Sequence, residues 1–248
     1  MKEQEQAGFH YSLGYALSSV AMVVVVVLLF WLFPYRPEMV EDTAAENTNL
    51  PVIVIDAGHG GEDCGAIGAN GVYEKDLNLQ MAFRLASLFR AAGYPVVLTR
   101  TEDKLLYTEE QNIRGQRKFY DLKNRLDIAQ SCENAVFISI HMNSFPSSRY
   151  WGTQIWYGKA ESSRTLAQAV QSEVVRVLQP ESRRQVKEAT DDLYLAFRCD
   201  HPTLLVECGF LSNEAECAKL MTEEYQKELS FVIFYAMIEA MNTQTQEY

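Results

Sequence analysis

The stretch LPVIVIDAGHGG, residues 50–61, runs an apolar segment straight into a glycine-rich turn. Residues 50–55 are continuous, apolar and rich in β-branched side chains, which is the pattern of a strand buried on both faces near the centre of a sheet. Further on, Leu77, Met81, Leu85, Leu88 and Phe89 recur at helical spacing within 77–92, Gly93 closes that helix, and a second apolar run covers 94–98. Strand, helix, strand is a βαβ unit. The alternation continues with a basic helical stretch at 114–130, a buried-type strand AVFISI at 135–140 and a short strand at 155–157. A helix at 163–178, a strand at 203–206 and two closing helices within 215–241 complete it. This order implies an α/β fold, a single mainly parallel (mixed) sheet with helices on both faces.

The chain has 248 residues, 48% of them hydrophobic, enough for one sizeable core, and residues 50–242 are expected to hold it. Ahead of that core, residues 16–33 (ALSSVAMVVVVVLLFWLF) carry no charge and match the length of a bilayer-crossing helix. The aromatic and basic residues of FPYRPEM follow, where a signal peptide would place a small-residue cleavage site. Residues 1–36 are therefore expected to hold an N-terminal membrane anchor or signal segment, with a transmembrane helix at 16–33, and the polar, acidic stretch 37–49 to be a linker. A net charge of -11 opposes attraction to phosphate backbones and argues against a nucleic-acid partner. The five cysteines are odd in number and scattered, so they read as buried thiols rather than a disulfide framework or a structural metal site.

In open α/β sheets the chemistry gathers beyond the carboxyl ends of the strands. After LPVIVI comes DAGHGG with His59, after AVFISI comes HMNS with His141, and after TLLV comes ECGF with Glu207. Imidazoles and a carboxylate at convergent strand ends suit a hydrolytic zinc site, because zinc accepts both donor types and keeps a position for water. Glu207 stands between apolar residues, where a carboxylate is costly unless paired or metal-bound. A further ligand is left open between Glu62 in HGGE and Glu74 in YEKDLNL, whose ordinary reading is a helix-start acid favoured by the dipole. His201 reads as a structural residue in a loop, and Arg100 with Asp103 as a turn.

DAGHGG, YEKDLNL, ISIHMNS and LLVECGFLSN, in this order and at these separations, resemble the zinc-dependent N-acetylmuramoyl-L-alanine amidases that degrade bacterial cell walls. The resemblance implies Zn²⁺ ligands at His59, Glu74 and His141 and a catalytic glutamate at Glu207. Peptidoglycan becomes the expected substrate, and the domain is expected outside the cytoplasm, anchored through its first helix or secreted if that helix is cleaved. Asn143 and Ser144, just after His141, are candidates for substrate contact or for support of the metal ligands. The basic stretch RGQRKFYDLKNR and the run from HMNSFPS into WGTQIWYGK are similar to the spore-cortex, germination-specific amidases. That subgroup implies removal of stem peptides on the way to muramic-δ-lactam, and an activating protein partner. The competing expectations are a vegetative wall amidase and a zinc peptidase acting within the stem peptide.

Overall fold

The computed structural model describes residues 50–245. The expected transmembrane helix and linker lie outside the described residues, among which no helix is long and apolar enough to cross a membrane. The strands are β1 (Val52–Ala57), β2 (Val96–Leu98), β3 (Ala135–Asn143), β4 (Gln154–Tyr157), β5 (Lys187–Glu188) and β6 (Thr203–Phe210). They form one six-stranded sheet in the order β2-β1-β3-β6-β4-β5. Neighbours are parallel except β4 and β6, which pair antiparallel. The helices are α1 (Glu74–Ala91), α2 (Arg117–Gln130), α3 (Glu161–Val177), α4 (Tyr194–Arg198), α5 (Glu214–Leu220) and α6 (Glu223–Thr245).

Helices cover both faces of the sheet. On one face Leu77, Leu85, Val170 and Ile233, from α1, α3 and α6, pack on Ile53, Ile55, Ile138 and Val206. On the other, Leu126 of α2 and Leu195 of α4 pack on Val54 and Phe137. Successive residues of β1 thus enter opposite cores, so the run had to be apolar without interruption. Each such fully buried side chain contributes roughly 2 kcal/mol. Helix α1 starts without a side-chain cap, but Glu74 and Asp76 lie in its first turn and Arg90 in its last, and Gly93 follows its end with φ 83°.

Two differences from the sequence expectation matter. Strands β3 and β6 run past their apolar stretches, so His141 and Glu207 lie within them and face each other as register partners. The backbone ladder outlasts the hydrophobic pattern, with a register irregularity only between His141 and Asn143. The chain also leaves β1 for β2 on one side and later places β3 on the other. Strands β1 and β3 therefore flank a topological switch point, where side chains beyond the strand ends converge.

Arg100 is not simply part of a turn. It is 2% exposed, and Arg125 of α2 is 1% exposed. Arg100 donates to the carbonyls of Ala57 (2.8 Å), Gly58 (3.1 Å) and Lys75 (2.8 Å). Arg125 donates to the carbonyls of Ala57 (2.6 Å) and His59 (2.7 Å) and to the carboxylates of Asp56 (2.8 Å) and Asp121 (2.9 Å). Asp56 also accepts from Thr99 Oγ1 and Ser139 Oγ, both at 2.7 Å. Burial works against the Asp56 charge, yet Arg125, His141 and the two hydroxyls hold its pKa below the ordinary carboxylate value.

Asp56→Asn leaves Arg125 undercompensated and is expected to lower the unfolding free energy by about 3 kcal/mol at neutral pH, read by chemical denaturation. The folded-state pKa is depressed, so this contribution is complete above pH of about 4 and fades as the pH falls through the lowered value. The gap between parent and variant should narrow accordingly in acid. A neutral-pH loss below about 1 kcal/mol would show that the fold stands without the pair.

Candidate functional site

Four elements deliver the site. His59 comes from the turn after β1, Glu74 is the first residue of α1, His141 belongs to β3 and Glu207 to β6. The turn is shaped by backbone that side chains rarely adopt, with φ of 62° at His59 and 54° at Gly61. Gly58 is required for space, since a Cβ there would stand 2.2 Å from His141 Cε1. Gly65 meets both demands, with φ of 65° and a Cβ position 2.5 Å from Glu74 Oε2.

His59, Glu74 and His141 present one ligand atom each, all within 4.8 Å of one another. Glu74 Oε1 is 3.2 Å from His59 Nε2 and 2.9 Å from His141 Nδ1. The two imidazoles meet edge to face with centroids 4.9 Å apart. Backbone and amide donors fix the Glu74 carboxylate. Ala66 N–H donates to Oε2 at 2.8 Å, while Met142 N–H (3.0 Å) and Asn78 Nδ2 (3.3 Å) donate to Oε1. Asn78 Nδ2 also donates to the Gly58 carbonyl at 3.1 Å. Burial opposes the Glu74 charge, but the two histidines hold its pKa well below the ordinary range. Burial likewise disfavours a charged His59, yet Asp63 and Glu74 raise its pKa to about 9. Two nitrogens and an oxygen converging in a half-buried recess fit a divalent metal of the zinc type.

Glu207 is placed differently from these three. Its Oε2 is buried with no hydrogen-bond partner in the structure, and burial pushes its pKa up to about 7, with Glu74 adding and His141 and His59 partly offsetting. Burial with no donor on Oε2 favours the protonated carboxyl. Glu62 is exposed and paired with Arg117 at 2.8 Å, away from the cluster. Asn143 ends β3, and its carbonyl accepts from Leu211 N–H at 2.8 Å, while Ser144 is exposed. His201 lies just before β6, at the end of that strand away from Phe210.

Asp63 was not anticipated. Its Oδ2 lies 2.9 Å from His59 Nδ1 and 3.3 Å from Lys118 Nζ, and its Oδ1 accepts from Gly65 N–H at 3.2 Å. Metal-binding histidines commonly turn their second nitrogen to a carboxylate, which orients the ring, and an acid four residues after His59 is the signal that could have exposed it. A cavity of about 160 Å³ opens beside these groups, lined by Asp63, Lys118, His141, Asp192 and Tyr194 among others.

Two histidines and a glutamate at the switch point of an α/β sheet, with a further carboxyl beside them, make a group that could hold a metal ion. The sequence pattern of the N-acetylmuramoyl-L-alanine amidases matches residues 53–239. The chain belongs to that family, whose members are peptidoglycan amidases. It is 31% identical over 227 residues to the germination-specific N-acetylmuramoyl-L-alanine amidase of Bacillus subtilis, covering 90% of this chain and 94% of that one. The CwlD amidase of Clostridioides difficile, solved in complex with the GerS lipoprotein, is 38% identical with a TM-score of 0.74, covering 78% of this chain and 99% of that one. The catalytic domain of the amidase CwlV from Bacillus (Paenibacillus) polymyxa is 31% identical with a TM-score of 0.65, covering 78% and 99%.

Gly58→Ala is expected to displace the His141 ring and weaken divalent-metal uptake by roughly tenfold or more, measured by competition with a chromogenic chelator. The circular dichroism of the fold should persist. Undiminished uptake would mean that the ring has room which the 2.2 Å approach denies it.

Proposed function

We propose that this chain hydrolyses the amide bond between N-acetylmuramic acid and L-alanine in peptidoglycan, with a zinc ion held by His59, Glu74 and His141 and with Glu207 as the proton carrier. The convergence of the three ligand atoms within 4.8 Å, with Glu207 set across from His141 by the register of β3 and β6, carries this reading. When bound, the zinc ion supplies Lewis acidity and makes water acidic enough to attack near neutral pH. Glu207 takes up the proton of the attacking water. The same carboxyl then delivers it to the departing L-alanine nitrogen, without which the amine would be too poor a leaving group. Glu74, fixed by three hydrogen-bond donors, keeps both histidine rings in place. Asp63 Oδ2 stands 2.9 Å behind His59 Nδ1 as a charge partner, with Nε2 facing the cluster.

The cellular role follows the relatives. Likeness to a germination-specific amidase and to CwlD supports action on spore cortex, with removal of stem peptides ahead of muramic-δ-lactam formation. The lipoprotein in the CwlD complex supports an activating protein partner for this chain as well. The apolar run at 16–33 supports a membrane anchor, with the domain acting outside the cytoplasm.

Glu207→Gln should retain zinc and lose turnover by about 10²- to 10⁴-fold, whereas His141→Ala should lose both. Metal analysis alongside mass spectrometry of muropeptides checks this, the product being a stem peptide with a free α-amine on L-alanine. A Gln variant releasing stem peptides at the parent rate, or cleavage inside the stem peptide, would sink the assignment.

A further inference from the structure

Between Ala66 and Glu74 the chain makes a small hairpin whose two ends meet at a proposed metal ligand. Glu74 N–H donates to the Ala66 carbonyl at 2.9 Å, and Ala66 N–H donates back to Glu74 Oε2 at 2.8 Å. Above this base Ile67 bridges Tyr73, and Gly68 N–H donates to the Val72 carbonyl at 2.9 Å. Gly71 N–H closes the turn on the Gly68 carbonyl, also at 2.9 Å. The hairpin therefore holds Glu74 by its backbone and by its carboxylate together. A two-stranded tongue this short is marginal by itself, so its tip needs a seat.

That seat is Cys217 of α5, whose side chain is fully buried. A Cβ placed on Gly68 would stand 2.8 Å from Cys217 Sγ and 2.8 Å from Val72 Cγ1, so only bare backbone fits between them. Burial pushes the thiol pKa up, while the backbone amides of Ala69 and Asn70, turned toward the sulfur, pull the other way. Asn70 Nδ2 adds a contact to Met221 Sδ at 3.7 Å, one residue past the end of α5. A buried cysteine ordinarily fills space as a small hydrophobe. Here three consecutive residues of the tongue, Gly68, Ala69 and Asn70, close over one sulfur.

Helix α5 is itself locked to β6. Asn213 Oδ1 caps it by accepting from Glu216 N–H at 3.0 Å, and Glu216 Oε2 accepts from the N–H of Phe210, the last residue of the strand, at 2.8 Å. Adjacent residues of one short helix thus grip two different parts of the site. Glu216 holds the strand that carries Glu207, and Cys217 holds the tongue that ends in Glu74. We propose that Cys217 is a positioning residue, seating the hairpin 66–74 so that Glu74 is set for a metal ion and in fixed relation to Glu207. This role rests on the metal reading above. Loss of a group that orients a ligand commonly weakens metal binding by about 10- to 100-fold.

The test uses the full chain in a mild detergent, with uptake of zinc(II) and cobalt(II) titrated against a competing chelator and the cobalt absorption spectrum recorded. Cys217→Ala should weaken uptake of both ions about tenfold and shift the visible cobalt bands, which report ligand geometry. Cys217→Ser keeps an acceptor of similar size under the tip and should stay within about twofold of the parent. Gly68→Ala pushes the tip off the sulfur from the other side and should reproduce the alanine effect, even where Cys217→Ala folds poorly. Leu220→Ala empties a fully buried position of the same helix. It should lower stability to denaturant yet leave uptake by the folded chain and the cobalt bands at parent values. Parent-like affinity and spectrum in both Cys217→Ala and Gly68→Ala would overturn the seat. So would an equal loss of uptake in Leu220→Ala, since any damage to α5 would then suffice. A parent chain that takes up neither ion would sink the metal reading and this role with it, whereas parent uptake with indifferent variants sinks the role alone.

Discussion

Three consecutive carbonyls, those of Ala57, Gly58 and His59, leave the strand ladder at the end of β1 and point inward, and two buried guanidinium groups take all of them. Peptide oxygens left unpaired inside a protein would each cost on the order of 1–3 kcal/mol, so the turn could not exist without these donors. Arg100 arrives from beyond β2 and Arg125 from α2, so the turn is gripped from two parts of the chain distant in sequence. The grip leaves His59 in a left-handed backbone conformation, its ring aimed at Glu74. The arginines themselves require charge, which Asp56 and Asp121 provide. The cluster of His59, Glu74 and His141 is thus the visible tip of a buried ionic layer beneath it.

Electrostatics divides the two glutamates of the site. Glu74 has donors from Ala66, Asn78 and Met142 with two imidazoles alongside, so it stays ionised. Glu207 has no donor on its buried Oε2, and burial, only partly offset by His141 and His59, raises its carboxyl to about 7. One carboxylate is suited to holding a cation and the other to exchanging a proton, and their surroundings rather than their chemistry make the difference.

Much of this was legible in the sequence. The uninterrupted run at 50–55 betrayed a strand with cores on both sides, and DAGHGG, ISIHMNS and LLVECGF marked three strand ends that do converge. What escaped detection was non-local. The extension of β3 and β6 through His141 and Glu207 depends on pairing between strands, which local hydrophobicity does not encode. Arg125 resembled its exposed neighbours in a basic helix until α2 packed and carried it inside. Glu62 and Glu74 stayed open on local sequence alone, because only the packing of α1 puts Glu74 beside both histidines while Glu62 turns out to Arg117. Asp63 lay beside it and was passed over, since only the ring orientation of His59 reveals its use.

The site gathers residues 59, 74, 141 and 207, with the last joined to the third only through strand pairing. Contacts so distant along the chain form late, when the sheet closes. On the reading proposed above, competence to cut therefore requires that β3 and β6 have paired, because only that pairing sets Glu207 across from His141. For an amidase that is a built-in safeguard: a chain whose sheet is still open has its histidines and glutamates but not the arrangement that would let them act together.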